Sequence, residues 1–142
     1  MNIFYTDPCP KKCASYLDDK RVIKMALETA QLLSTAQHIS GATVTYKPTH
    51  INHPCSVWVR SSLSNYQWAY EHFLALLAEY TRRFGKVHAC SRLIEELRTI
   101  NLPDIGLTEH VNCTPYNLPV IDSYRAVLKD KWAKDKREPT WR

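Results

Sequence analysis

The sequence predicts an all-α protein: a single compact domain over residues 1–142, with three to four helices and long irregular connectors. Three observations point there. Only three glycines occur in 142 residues, too few for a sheet built on tight hairpins, whose turns demand positive φ. Two long segments repeat apolar residues at three- and four-residue steps, the spacing of one helix face. The eight prolines fall outside the interiors of those segments and mark the turns between them. Hydrophobic residues at 44% and charged residues at 23% are ordinary for a globular chain, and this length can bury a working core without staples.

The first helix is predicted over residues 14–38. Leu17, Val22, Met25, Ala26, Ala30, Leu32, Leu33 and Ala36 supply its apolar face, no glycine or proline interrupts it, and Gly41 offers a stop. Residues 41–52 read as an irregular connector, because Pro48 bars its continuation as helix. A second helix starts at Pro54, since proline suits a first turn, and ends at Phe84 before Gly85. Its serines between positions 61 and 65 offer an internal cap where it can break once. A shorter helix is expected over 89–99. Residues 101–119 carry three prolines and read as an extended, functional loop. A last helix covers 120–136, ahead of a tail ending EPTWR.

The formal charge of +5 and a pI near 9.0 favour an anionic partner, nucleic acid first. No apolar run approaches bilayer length, and the opening MNIFYTDPCPKK lacks a signal peptide's order of charge, apolar stretch and cleavage site. A cytoplasmic protein without membrane association is expected. Cys9, Cys13, Cys55, Cys90 and Cys113 are odd in number and scattered, so reduced thiols are expected rather than a disulfide framework.

Two segments carry most of the chemistry. In DDKRVIKMALETAQLL, Lys20, Lys24 and Glu28 stand at i, i+4 and i+8, along one side of a helix. They form either a solvated Lys–Glu ladder or an acid/base carboxylate beside lysines that attract phosphate. In YKPTHINHPCSVWVR, His50, His53 and Cys55 suggest metal ligands, with Cys9 and Cys13 to complete a set. The paired spacings of zinc sites are absent, so no metal and no cofactor is expected. Contact with phosphates or base edges suits His50, Asn52 and His53 better, and it is compatible with His53 and Asn52 capping the next helix. Lys47, Arg60, Tyr66, Lys86, His88 and the terminal Trp141 add cations and aromatics suited to phosphate pairing and base stacking.

These stretches resemble the small phage and viral pyrimidine-dimer DNA glycosylases of the endonuclease V type. The resemblance runs in order through LDDKRVIKMALETAQLL, HPCSVW, EYTRRFGK and the terminal REPTWR. The chain is also similar to a group of uncharacterised phage proteins, through DDKRVIKMALETAQLLSTAQ and YKPTHINHPCSVW, where Arg21 stands at that group's usual histidine. The first resemblance implies a DNA glycosylase, with AP-lyase activity through an N-terminal amine, acting on a damaged or modified base in DNA inside an infected bacterial host. Glu28 falls at that family's catalytic glutamate. The amine would belong to Met1, because Asn2 stands where that family exposes a small residue after methionine removal; otherwise the chemistry has changed. Substrate contacts would come from Lys20, Arg21, Lys24, Lys47, His50, Asn52, His53, Arg60, Tyr66, Lys86, His88 and Trp141. The alternative is a non-catalytic phage protein that binds nucleic acid or a nucleotide, for example to counter host defence.

Overall fold

The computed structural model describes residues 2–142. Among these residues the protein is all-helical, with no strand. Five α-helices follow in order: α1 Pro10–Tyr16, α2 Asp19–Ile39, α3 Pro54–Arg60, α4 Leu63–Phe84 and α5 Val120–Lys134, with a 3-10 turn at Ala89–Leu93.

The helix count exceeds the expected three to four for local reasons. The periodic segment 14–38 is broken at Leu17 and Asp18, whose ψ angles of 142° and 163° are extended. Leu17 is thereby wholly buried, and the Asp18 carboxylate accepts from Trp132 Nε1 (2.7 Å) and Arg21 (3.3 Å). Hydrophobic periodicity does not register such tertiary demands on a polar side chain. Ahead of the break, Pro10 starts α1 at a first-turn position. The second long segment breaks among the serines, where Ser62 is extended and its hydroxyl donates to Asp104 Oδ1 (3.1 Å). Gly85, at φ 66°, closes α4 in the left-handed conformation, its N–H bonding Thr81 O at 2.9 Å. The expected helix over 89–99 is reduced to the 3-10 turn. The last helix stops at Lys134 because Asp135 turns out to receive Arg21 at 2.8 Å.

Helices α2 and α4 form the central pair, α1 lies on α4, and α3 packs on both. Leu33, Val59, Phe73 and Leu76 fill the space between them. Helix α5 brings Tyr124 and Leu128 into the same core, with Phe4 edge-on to Tyr124. The first described residues thread inward: Ile3 and Phe4 are buried, and Arg125 Nε donates to Thr6 O at 3.0 Å. Burying two such side chains stabilises by about 3–6 kcal/mol, and it fixes Asn2 at the head of α3.

Candidate functional site

Three segments meet at the N-terminal end of α3. Thr35 on α2 accepts from Thr49 N (3.1 Å) and donates to Thr49 O (3.2 Å), clasping the 49–53 turn to α2. Thr35 stands two helical turns after Glu28, so clasp and carboxylate share one side of α2. Within the turn, His50 takes a positive φ of 50° and His53 N donates to His50 O at 3.0 Å. His53 caps α3, its Nδ1 accepting from Cys55 N at 3.1 Å. An imidazole that accepts at Nδ1 while neutral carries its proton on Nε2, and so keeps a donor for an anionic oxygen or a base edge.

The electrostatics join the pieces. Burial pushes the His53 imidazole below its usual value; the positive charge at the chain's amino terminus and His50 act the same way, and Glu28 opposes them. His53 is therefore a neutral group near pH 7. Glu28 is half-buried and engaged, and its Oε2 is closed to solvent. Its carboxylate is not a rung of a fully solvated ladder, although Lys20 and Lys24 on the preceding turns are exposed.

Asn2 completes the floor. Its Oδ1 accepts from Ile3 N at 2.9 Å and lies 3.6 Å from Cys55 Sγ. The Cys55 thiol is pushed up to about 12, chiefly by burial and then by Cys113 beside it, against the Ile3 N–H, which favours the thiolate. Cys113 Sγ stands 3.7 Å from Cys55 Sγ. The ligating atoms of His53, Cys55 and Cys113 all fall within 4.8 Å of one another, so these three residues could hold a metal ion. Cys9 and Cys13, on and beside α1, are not part of that group.

The remaining site candidates divide. Asn52 and Lys47 are exposed on the same connector as His50. Lys86 is exposed beside His88, whose Nε2 lies 3.2 Å from Ile23 O, so this segment lies along α2 next to Lys24. The other His88 nitrogen accepts from Cys90 N at 3.0 Å, a capping bond. Arg60 is held by Ile51 O (2.8 Å) and Ser56 Oγ (3.1 Å), stapling α3 to the turn. Arg21 is 8% exposed and paired with Asp18 and Asp135, on the α5 side. Tyr66 is 1% exposed; its hydroxyl donates to Leu97 O (2.6 Å) and accepts from Gln37 Nε2 (3.0 Å), which makes it a core residue instead of a stacking platform. Trp141 donates to Tyr16 O and packs edge-on to Trp132, in the tail's docking contact. Met1 lies outside the described residues.

Sequence reasoning missed Cys113, Thr35 and His110. The only signal for Cys113 was its place in the proline-rich loop 101–119. His110 comes from the same loop, stacks on Tyr5 at 3.5 Å and packs against Trp58 and Trp68. Burial, with His72 nearby, drives it down to about 3, and burial drives His72 to about 4. A concavity of about 680 Å³ lies elsewhere, between α1 and α4. Leu74, Ala75 and Ala78 line it, and two of its polar groups, Glu79 and Arg82, are paired with each other, which leaves it poorly suited to acid/base work.

The family model described as pyrimidine dimer DNA glycosylase matches residues 1–92. That span takes in α1 to α4 with Glu28, His50, Asn52 and His53, and it ends before the loop that carries Cys113 and before α5. No curated protein and no solved structure matches the chain.

Proposed function

The chain belongs to the pyrimidine dimer DNA glycosylase family, and from that premise we propose that it excises a damaged or modified base from DNA and nicks the strand through an N-terminal amine. The observation that carries this reading is the half-buried Glu28 carboxylate, with one oxygen closed to solvent, electrostatically coupled to a His53 that stands beside Asn2 and Cys55. The amine of Met1 is one residue ahead of Asn2, a tether of about 3.8 Å between Cα atoms. An α-amine titrates near pH 8, so roughly a tenth or more is free base at pH 7.

In this mechanism the amine nitrogen bonds to the sugar C1′ and the glycosidic C–N bond breaks. The base leaves with the electron pair and is protonated. The nitrogen sheds its protons as the sugar ring opens, giving an imine. Glu28 accepts a proton and stabilises the cationic intermediate. Loss of a C2′ proton then expels the 3′ phosphate by β-elimination. Neutral His53 donates from Nε2, His50 and Asn52 contact the backbone, and Lys20, Lys24, Lys47 and Lys86 hold phosphates. The target base must leave its stack to be reached.

Borohydride trapping on duplexes carrying a panel of base lesions tests the proposal. The expected result is a covalent protein–DNA adduct mapping to the first residue, with Glu28→Gln slower by about 10²–10⁴-fold. Absence of both adduct and base release across the panel, while Glu28→Gln binds DNA as the parent does, refutes the enzymatic reading and leaves a binding protein.

A further inference from the structure

We propose that His53, Cys55 and Cys113 form a binding site for a thiophilic divalent cation of the zinc class, with the Asn2 side-chain oxygen at the fourth position. The argument is geometric. In a tetrahedral site with Zn–S bonds of about 2.3 Å, two thiolate sulfurs stand about 3.8 Å apart; a sulfur and an oxygen bonded at about 2.1 Å stand about 3.6 Å apart. Cys55 Sγ and Cys113 Sγ are 3.7 Å apart, and Cys55 Sγ and Asn2 Oδ1 are 3.6 Å apart. Two edges of the tetrahedron are therefore in place, and the His53 ring nitrogen lies within 4.8 Å of both sulfurs.

The ligand types agree with the cation. Two thiolates and an imidazole select zinc-class ions over magnesium or calcium, which take oxygen cages. The surroundings hold the ligands firmly. Cys55 is 3% exposed in the first turn of α3. Cys113 is fixed by its N–H donating to Tyr124 Oη (3.2 Å), and that hydroxyl donates to Val111 O (2.7 Å). Binding at His53 Nδ1 replaces the capping bond from Cys55 N, and each thiol releases its proton to solvent. The four ligands come from the chain head, the 49–53 turn with α3, and the loop ahead of α5. The cation would lock these three segments together, and this does not depend on the glycosylase reading.

The test uses the reduced full-length chain with Zn²⁺ or Co²⁺ as the only added probe. The expected result is one equivalent bound after gel filtration, a thiolate-to-cobalt charge-transfer absorption, and a Zn²⁺-induced rise in melting temperature. Cys113→Ser should weaken binding on the order of a hundredfold and remove the charge-transfer band, while Cys90→Ser should keep both. Cys113 sits in a loop and is half-buried, so its variant can be checked for folding by circular dichroism. Failure of the reduced chain to retain metal, or retention by Cys113→Ser equal to the parent, overturns the proposal. So does a Cys55–Cys113 pair that oxidises to a disulfide yet binds no Co²⁺ once reduced.

Discussion

Acidification should unfold this protein through two buried histidines, His72 and His110. His72 is fully buried, with Pro10 O 3.3 Å from its Nδ1 and Trp68 stacked on it. His110 is walled by Tyr5, Trp58 and Trp68. Their folded values are about 4 and about 3, against about 6.5 in an unfolded chain. Because the folded values are depressed, the unfolded chain binds more protons below pH 6.5. The stabilisation is complete above that pH and is lost as pH falls toward the folded values. Each histidine contributes a limiting slope of about 1.4 kcal/mol per pH unit. Integrated over both, stability should fall by about 4 kcal/mol between pH 6.5 and pH 4.5. Carboxylates held low by their partners, such as Asp19 and Glu79, act in the same direction, but mostly below that window. Urea denaturation at half-unit pH steps measures the slope. His110→Phe, which keeps a ring in the stack, should roughly halve it. A parent protein whose stability is flat from pH 6.5 to 4.5, or a His110→Phe variant with an unaltered slope, would refute the assignment of these histidines as buried and neutral.

Two further outcomes follow from the placement of polar groups. Tyr66→Phe removes the donor to Leu97 O and leaves that buried carbonyl unpaired, a loss of about 1–3 kcal/mol. The urea midpoint should drop while DNA affinity at low temperature stays as in the parent; weakened binding at unchanged stability would return Tyr66 to the interface. Replacing the exposed Lys24 or Lys86 by alanine should weaken DNA binding alike for all sequences. Each replacement should also lower the slope of log K against log salt by about 1, and an unchanged slope would remove that lysine from the phosphate track.

The fold class and the main punctuation were legible in the sequence. Pro54 starts a helix and Gly85 ends one, because each acts through its own backbone conformation. The break among the serines near 61 is also there, but Ser62 makes no cap bond and its hydroxyl reaches Asp104 instead. The split at Leu17 and Asp18 was not legible. It depends on Arg21 and Trp132 converging on the Asp18 carboxylate from different parts of the chain. At the candidate site, Glu28 and the 50–53 turn could be read because they are local runs with unusual composition. Their juxtaposition rests on the Thr35–Thr49 clasp, and a threonine gives no sequence signal for that. The meeting of Cys113 with Cys55 could not be read, since 58 residues separate them and only folding brings them together. Tyr66 differs in the opposite sense: cations beside it in sequence suggest a surface ring, whereas its face of α4 turns inward and its hydroxyl pairs with Leu97 O and Gln37 Nε2.

The backbone at His50 sets stability against use. A non-glycine residue at φ 50° occupies a region that few such residues adopt, and the strain there costs about 1 kcal/mol or more. Glycine would occupy the same turn without that strain. A search for sturdier versions of this chain would therefore drift toward glycine at position 50 and discard an imidazole whose Nδ1 pairs with Thr49 Oγ1 at 2.8 Å in the turn clasped to α2. On the proposed role of His50 in contacting the substrate backbone, a thermostability screen run without an activity readout would select the wrong residue at this position.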